Sequence, residues 1–253
     1  KLTENLASER SLAGEAGHLN ITRGDWASTL TEQFGVTINK GLKLVDPGHT
    51  VGVITPLASN QTGLSTDTPV VICGADTQVG LMGLGAWDPG DVGIVAGWSS
   101  PLQMVTSKPV FSPEAATWAG WYAAPNKWGL ESSGGDIGNG YSWLVNTIWG
   151  KAAKAYAQAD MAAKAIPPGA EGTLAVLGPS RMDMRRLGLF TGGLLFPTPV
   201  SFHQKSRGHL IRASLEAGAY TIRANLEQTE TLSGGKATTI AIGGGMSKSA
   251  VFV

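Results

Sequence analysis

Residues 69–97, PVVICGADTQVGLMGLGAWDPGDVGIVAG, contain the features that decide the fold. The apolar run Pro69–Cys73 is long enough for one buried strand, and a single acid, Asp76, follows it. A second apolar run, 92–96, begins after the turn 88–91. A carboxylate at the end of a buried strand, followed by glycines, is a common way to present an acid to a cleft in an α/β protein.

Asp76 has two interpretations on this pattern alone. Aspartate is a preferred helix N-cap, so Asp76 could simply begin a helix whose first residue is Thr77. Alternatively, the carboxylate could face a cleft and act as a general base. The spacing leaves both interpretations open.

Composition limits the classes of function. The 253 residues are 42 % apolar and 15 % charged, which is enough for a substantial core. Lys plus Arg and Asp plus Glu number 19 each, so no net field favours nucleic acid or an anionic membrane. No apolar run approaches the ~18 residues of a membrane span. The single cysteine, Cys73, is predicted to be an inert core residue, and its isolation excludes an internal disulfide and fits a cytoplasmic protein.

Strands and helices alternate along the rest of the chain, which favours an α/β fold. The runs on either side of Gly97–Pro101 predict a β-hairpin between residues 92 and 105. Asp25 is predicted to cap a helix from Trp26 to Phe34. The remaining strong predictions are a helix opening at Gly138, an alanine-rich helix at 151–165, a strand at 173–177, a helix at 207–231 and a strand at 238–242.

Three segments, taken in order, resemble the FGGY family of carbohydrate kinases. Thr68–Gln78 is similar to the signature G-T-P-V-V-x-G-x-x-D-x-Q, and His209–Ala217 resembles the motif H-L-x-R-A-x-L-E-G. Ile242–Ser249 resembles the adenosine-binding turn G-G-x-x-x-S. The separations are plausible for the family, so the three together form a specific signal.

The resemblance implies a ribonuclease-H-like, actin-like α/β fold with two domains and a cleft between them. Residues 1–88 are expected to be the last part of the sugar-binding domain, and residues 89–253 most of the nucleotide-binding domain. The family's D-x-G-T phosphate loop has no counterpart here, so the chain resembles roughly the second half of a kinase. We expect such a piece to be inactive by itself.

The resemblance also implies an activity and a set of site residues. The implied reaction is ATP-dependent phosphorylation of a sugar or polyol hydroxyl, with Mg²⁺ on the phosphates and Asp76 as general base. Gly97, Ser99 and Gly138 are expected near the phosphates, and Gly244, Gly245 and Ser249 near the adenosine. Glycine at such positions allows a ligand to approach the backbone closely.

One position departs from the family pattern. Trp98 stands where the family's hairpin turn carries threonine, which removes a hydroxyl and adds bulk. A non-catalytic nucleotide-binding module of the same fold therefore remains an alternative to the kinase. The sequence also leaves a homodimer open. Five tryptophans between residues 118 and 149 could stack on a sugar ring, although such residues more often fill a core.

Overall fold

The computed structural model of the chain describes residues 2–35, 42–186, 191–199, 202 and 204–253. The helices are α1 (Arg10–Glu15), α2 (Ser28–Gln33), α3 (Pro56–Thr62), α4 (Asp76–Gly83), α5 (Ile137–Trp149), α6 (Ala155–Lys164) and α7 (Arg207–Ser233). The strands are β1 (Ala7–Glu9), β2 (Leu19–Asn20), β3 (Asp25–Trp26), β4 (Lys43–Val45), β5 (Thr50–Val53), β6 (Pro69–Val71), β7 (Asp91–Val95), β8 (Pro101–Thr106), β9 (Trp118–Trp121), β10 (Trp128–Ser133), β11 (Leu174–Val176), β12 (Gly193–Leu195) and β13 (Thr239–Gly243). Short 3₁₀ turns occupy Ala170–Gly172 and Met246–Lys248.

A five-stranded mixed sheet with the order β13-β7-β8-β10-β9 organises most of the chain. Strand β13 pairs with β7 in parallel, whereas the other pairs are antiparallel. The hairpin of β7 and β8 confirms the prediction for residues 92–105. The predicted strand at 238–242 and the helix at 207–231 are also confirmed, with small shifts at their ends.

The two faces of the sheet are covered by different helices. Val92 and Ile94 of β7 pack, with residues of β8, against Ile222 and Leu226 of α7. Strand residues alternate between the faces, and the fully buried Leu81 of α4 packs against Val105 on the opposite face. Gly93 leaves the room for this contact, because a Cβ there would stand 2.6 Å from the Leu81 side chain. Helix α4, which begins at Asp76, is thereby fixed against the sheet.

Asp91 holds the turn between α4 and β7 to the beginning of β13. Its carboxylate accepts the backbone N–H groups of Trp87 and Asp88 at 3.1 and 2.8 Å. It also accepts the hydroxyls of Thr238 and Thr239 at 3.2 and 2.6 Å. These hydrogen bonds, led by the one from Thr239, keep the pKa of Asp91 below its usual value.

We expect Asp91→Ala to lower the free energy of unfolding by about 2–3 kcal/mol, the scale of hydrogen bonds to a charged group. A lowered pKa stabilises the fold at a pH above the ordinary pKa of aspartate, ~3.9, and this contribution disappears as the pH falls through the lowered pKa. The difference between the two proteins in urea titrations should therefore shrink below about pH 4. Asp88→Ala is the matched control: its carboxylate is solvent-exposed beside Lys127, and its loss should cost under ~1 kcal/mol. Equal stability of the two variants would contradict the role of Asp91.

Strand β6 is less buried than its sequence predicts. Pro69 and Val71 are exposed, and Cys73 is also exposed rather than an inert core residue. Among the described residues, β5 is the sole strand partner of β6, so this two-stranded sheet does not bury an apolar run on both sides. The apolar pattern indicated a strand correctly, but its prediction of full burial was wrong.

The helix predicted from Trp26 to Phe34 is shorter, and Asp25 does not cap it. Asp25 and Trp26 form β3 instead, while α2 spans Ser28–Gln33 after Ala27. The Asp25 carboxylate is engaged by Arg23 at 3.0 Å, and Trp26 packs beside Leu19. These contacts outweigh the local capping pattern.

No helix in the described parts of the chain has both the length and the apolar character to cross a membrane.

Candidate functional site

The turn of the β7–β8 hairpin borders a cavity of about 820 Å³, here called the hairpin cavity. Its walls come from the hairpin turn, α5, α6 and the turn after β13. The lining residues are Gly97, Trp98, Gly138, Asn139, Tyr141, Ser142, Tyr156, Ala157, Asp160, Met161, Gly245, Met246, Lys248 and Ser249.

The hairpin turn and the start of α5 are in direct backbone contact. The N–H groups of Gly138 and Asn139 donate to the carbonyl of Trp98 at 3.1 and 3.2 Å. A Cβ at position 138 would stand 1.9 Å from the carbonyl oxygen of Gly97. Glycine at 138 is therefore required by the protein's own backbone, whereas the sequence suggested that it allows a ligand to approach the backbone closely.

The turn after β13 is fastened to the same hairpin. Met246 N donates to the Ala96 carbonyl at 3.0 Å. Gly244 has a positive φ of 96°, and a Cβ there would stand 2.5 Å from the same carbonyl oxygen. At Gly97 and Gly245, in contrast, the position of a Cβ meets no protein atom closer than 3.8 Å. These two glycines leave open space that a side chain would fill.

Helices α5 and α6 supply a polar and aromatic wall. Tyr141 and Tyr156 have their ring centroids 5.9 Å apart, and the Tyr156 hydroxyl is 2.8 Å from the hydroxyl of Ser142. Ser249 donates its hydroxyl to the carboxylate of Asp160. Burial, with smaller contributions from Asp160 and Tyr156, raises the pKa of Tyr141 to about 12, so its phenol stays protonated at neutral pH.

The structure brings four of the six predicted nucleotide residues to this cavity: Gly97, Gly138, Gly245 and Ser249. Ser99 is exposed in the hairpin turn, where its carbonyl accepts the N–H of Gly97 at 3.0 Å. Gly244 lies against the backbone carbonyl of Ala96 instead. Neither Ser99 nor Gly244 lines the cavity.

Asp76 stands at the first residue of α4, not at the capping position, which is held by Ala75. Its carboxylate accepts the N–H of Thr77 at 2.6 Å and is exposed. The interpretation of Asp76 as the N-cap of a helix from Thr77 is thus wrong, because the helix begins one residue earlier, at Asp76 itself. An exposed carboxylate at the start of a packed helix is free to contact a small molecule.

A chain of hydrogen bonds from the first strand supports the start of α4. Glu9 is fully buried, and its carboxylate accepts the hydroxyl of Ser11 and the backbone N–H groups of Ser11 and Leu12. The Ser11 hydroxyl oxygen in turn accepts the N–H of Ala75 at 2.9 Å. The residue immediately before Asp76 is therefore held by the N-terminus of α1.

A second cavity of about 560 Å³ lies next to Asp76, between α1, α4 and the sheet, and is here called the sheet cavity. Its polar lining residues include Glu15, Gln78, Gln103 and Glu131. Burial raises the pKa values of the Glu15 and Glu131 carboxyls above their usual range. The negative charge of Asp76 raises the pKa of Glu15 further, whereas the hydrogen bond from Gln103 offsets part of the rise at Glu131.

Several lining residues were not predicted from the sequence. Tyr156 and Asp160 lie in the predicted alanine-rich helix, to which the sequence assigned no chemistry, and Gln103 lies in the predicted hairpin outside any motif. Glu131 lies in none of the predicted elements. The hydrogen bond between Asp160 and Ser249 joins residues 89 positions apart. No local pattern carries that information, although the repeated polar residues of α6 could have indicated that one face of the helix lines a cavity.

Two family profiles match the chain. Residues 1–83 match the N-terminal domain, and residues 92–253 the C-terminal domain, of the FGGY family of carbohydrate kinases. The chain therefore belongs to the FGGY family, as its motifs suggested.

Among curated relatives, the chain is similar to a putative sugar kinase, YoaC, of Bacillus subtilis strain 168, with 27% identity over 90% of this chain and 45% of the relative. It is also 27% identical to an autoinducer-2 kinase of Yersinia enterocolitica, over 98% of this chain and 48% of the relative. The chain thus spans about half the length of the curated relatives it matches.

Solved structures share the fold. A xylulose kinase from Rhodospirillum rubrum superimposes with a TM-score of 0.80 at 22% identity, over 99% of this chain and 50% of that structure. Plasmodium falciparum glycerol kinase with ADP gives a TM-score of 0.83 at 20% identity, over 99% and 49%. The predicted actin-like α/β fold is confirmed.

Proposed function

We propose that the protein phosphorylates a hydroxyl group of a sugar or polyol with ATP, using the hairpin cavity for the nucleotide and Asp76 as general base. The observation that carries the proposal is the convergence of Gly97, Gly138, Gly245 and Ser249 on one cavity beside the hairpin turn. Kinase names among the curated relatives add support. Because the chain spans about half of those relatives, the proposal concerns the full-length protein.

The lining of the hairpin cavity fits a nucleotide. Tyr141, Tyr156 and Met161 offer aromatic and apolar surface for a base, while Asp160 and Ser249 offer acceptors and donors for ribose hydroxyls. The open positions at Gly97 and Gly245 form a cradle that any side chain would obstruct. A glycerol kinase of the same fold was solved with ADP, which agrees with this assignment.

Mg²⁺ fits the proposal as an ion carried by the nucleotide. In the described parts of the chain, no group of three or more His, Cys, Asp or Glu side chains could hold a metal ion. The metal would neutralise charge on the phosphates, which is its general contribution to phosphoryl transfer. The protein's own residues then have to orient the nucleotide and the acceptor.

Asp76 is suited to accept the proton of the acceptor hydroxyl. Its carboxylate is exposed, and its backbone is anchored by the packing of α4 on the sheet and by the bond from Ala75 to Ser11. Phosphoryl transfer depends mainly on positioning and charge stabilisation, so one well-placed carboxylate can serve as the base.

We further propose that residues 1–88 belong to the sugar-binding domain and residues 89–253 to the nucleotide-binding domain. The first matched region ends at residue 83 and the second begins at residue 92, which supports a boundary in the turn before β7. Asp91, the first residue of β7, follows this turn directly and ties it to β13.

The test is an ATP-dependent phosphorylation assay of the full-length protein with a panel of sugars and polyols, followed by ³¹P NMR of the products. We expect a phosphorylated sugar or polyol and stoichiometric ADP. Saturable ADP binding without transfer to any member of a broad panel would favour the non-catalytic nucleotide-binding module instead.

Trp98 is expected to tolerate replacement. Its side chain is 75 % exposed at the mouth of the hairpin cavity, and its backbone carbonyl makes the contacts to α5. Trp98→Thr keeps that carbonyl, so the ATP dissociation constant should change by less than about tenfold, under ~1.4 kcal/mol. Isothermal titration calorimetry checks this, with Trp143→Thr, at another exposed indole, as the control. A change of several orders of magnitude at Trp98 alone would mean that the indole blocks the nucleotide site.

A further inference from the structure

The sheet cavity contains buried oxygen atoms that have no hydrogen-bond partner. Gln78, Gln103 and Thr117 are 3 %, 4 % and 8 % exposed, and all three line this cavity. The side-chain oxygens Gln78 Oε1, Gln103 Oε1 and Thr117 Oγ1 lack a partner among the described residues. Buried polar atoms are normally paired, and an unpaired one is costly, so these atoms favour a ligand that donates hydrogen bonds.

The orientation of Gln103 is fixed by its neighbour. Its Nε2 donates to the carboxylate of Glu131 at 2.6 Å, which leaves Oε1 as the free end of the amide. Gly129 lies beside that oxygen, where a Cβ would approach it to 3.2 Å. The cavity wall therefore contains an acceptor oxygen without a partner, and glycine at position 129 avoids a close contact with it.

The charge of the cavity selects against anions. Glu15 and Glu131 are among the lining residues, and the described lining contains no Lys, Arg or His. A carboxylate or phosphate on a ligand would meet negative charge or buried acceptors without a compensating cation. Trp118 and Phe111 line the same cavity with partly exposed rings, which suit the apolar C–H faces of a sugar or polyol.

We propose that the sheet cavity binds an uncharged polyhydroxylic molecule, a neutral sugar or polyol rather than an aldonate or a sugar phosphate, through Gln78, Gln103, Thr117 and Glu131. Its assignment as the acceptor pocket rests on the proposed kinase function, because Thr77 and Gln78 follow Asp76 directly and line this cavity. Glu131 and Gln103 then determine the charge of the acceptor that the enzyme accepts.

The first test is a binding comparison on the full-length protein. Erythritol, xylitol and D-glucitol are each paired with the aldonate of the same carbon chain, so that a terminal CH₂OH group is exchanged for a carboxylate. Saturation-transfer NMR and calorimetry measure each dissociation constant. We expect at least one polyol to bind saturably, and its paired aldonate at least tenfold more weakly. Equal or tighter binding of the aldonate, or no binding of any polyol at 100 mM, overturns the proposal.

Two variants locate the effect in the sheet cavity. Glu131→Gln removes a negative charge at nearly constant shape, so the preference for the polyol over its aldonate should fall at least fivefold. Gln103→Leu should weaken the polyol at least tenfold. Glu227→Gln is the matched control, because the Glu227 carboxylate is exposed on α7 beside Arg223. This variant should leave both the polyol dissociation constant and the preference for the polyol over its aldonate unchanged. The ADP dissociation constant reports the integrity of the fold and is expected to stay within twofold of the parent value in every variant. An unchanged preference for the polyol over its aldonate in Glu131→Gln overturns the proposal.

The kinase assay separates this inference from the proposed function. If the polyol binds with the expected selectivity but no phosphoryl transfer occurs, the ligand class is correct and the kinase assignment fails. If transfer occurs but the KM of the acceptor is unaffected by both Glu131→Gln and Gln103→Leu, the kinase assignment stands and the sheet cavity is not the acceptor pocket.

Discussion

Replacing Asp76 by Asn should lower the kcat of the full-length protein by at least about 100-fold, the usual scale of general-base catalysis. Asparagine has nearly the same shape, and its side-chain oxygen can still accept the N–H of Thr77 that the carboxylate accepts at 2.6 Å. The substitution removes the ability to take up a proton. Stability should fall by no more than ~1 kcal/mol, the value of a negative charge in the first turn of a helix.

The measurement is steady-state kinetics with an accepted sugar or polyol, alongside thermal unfolding. Asp67→Asn is the matched control, because Asp67 is an exposed residue of the loop before β6. Its φ of 69° is a backbone conformation that asparagine tolerates well, so the control should be neutral in both assays. If kcat of Asp76→Asn stays within threefold of the parent, Asp76 serves only to begin α4.

Gly138→Ala should damage both folding and nucleotide binding. The new Cβ would stand 1.9 Å from Gly97 O, 2.7 Å from Gly97 C and 2.8 Å from the Cα of Trp98. All three are backbone atoms, which cannot turn aside as a flexible side chain can. Either the hairpin turn or the start of α5 must move, and we expect a loss of at least about 2 kcal/mol in the free energy of unfolding. The ADP dissociation constant should rise more than tenfold because this turn borders the hairpin cavity.

Urea unfolding and calorimetry with ADP test this expectation. Gly97→Ala and Gly245→Ala are the controls, since a Cβ at either position has no protein atom closer than 3.8 Å. We expect both to fold with nearly parental stability. If a nucleotide approaches the backbone closely at these two glycines, both substitutions should weaken ADP binding without destabilising the protein. Parental stability of Gly138→Ala would show that the turn yields easily.

The sequence predicted the elements that depend on local patterns. The β7–β8 hairpin follows from two apolar runs on either side of a glycine-containing turn, and both strands lie in the central sheet. Helix α7 was predicted from a long segment in which only Gly218 was expected to interrupt a helix, and the helix runs continuously through that residue. The cavity residues predicted through family motifs, such as Gly97 and Ser249, also come together.

Other features depend on partners that local sequence does not specify. The apolar run of β6 indicated a strand, but its burial depends on which elements cover it. Asp25 has the character of a helix cap, yet an ion pair with Arg23 at 3.0 Å engages it in a strand. Gln103 and Glu131 meet because antiparallel pairing of β8 and β10 places them side by side. Their shared cavity could not be inferred from either strand by itself.

The hydrogen-bond chain from Glu9 through Ser11 to Ala75 has a practical consequence for shortened versions of the protein. Strand β1 is only three residues long, so its size alone gives no sign of this role. A boundary chosen after Leu12 would nevertheless remove the partner of the Ala75 N–H, and with it one of the anchors that set the backbone at Asp76. A truncation chosen only by the size of the secondary-structure elements would thus remove Ser11, which lies 65 residues before the proposed base, Asp76, and helps to hold its backbone.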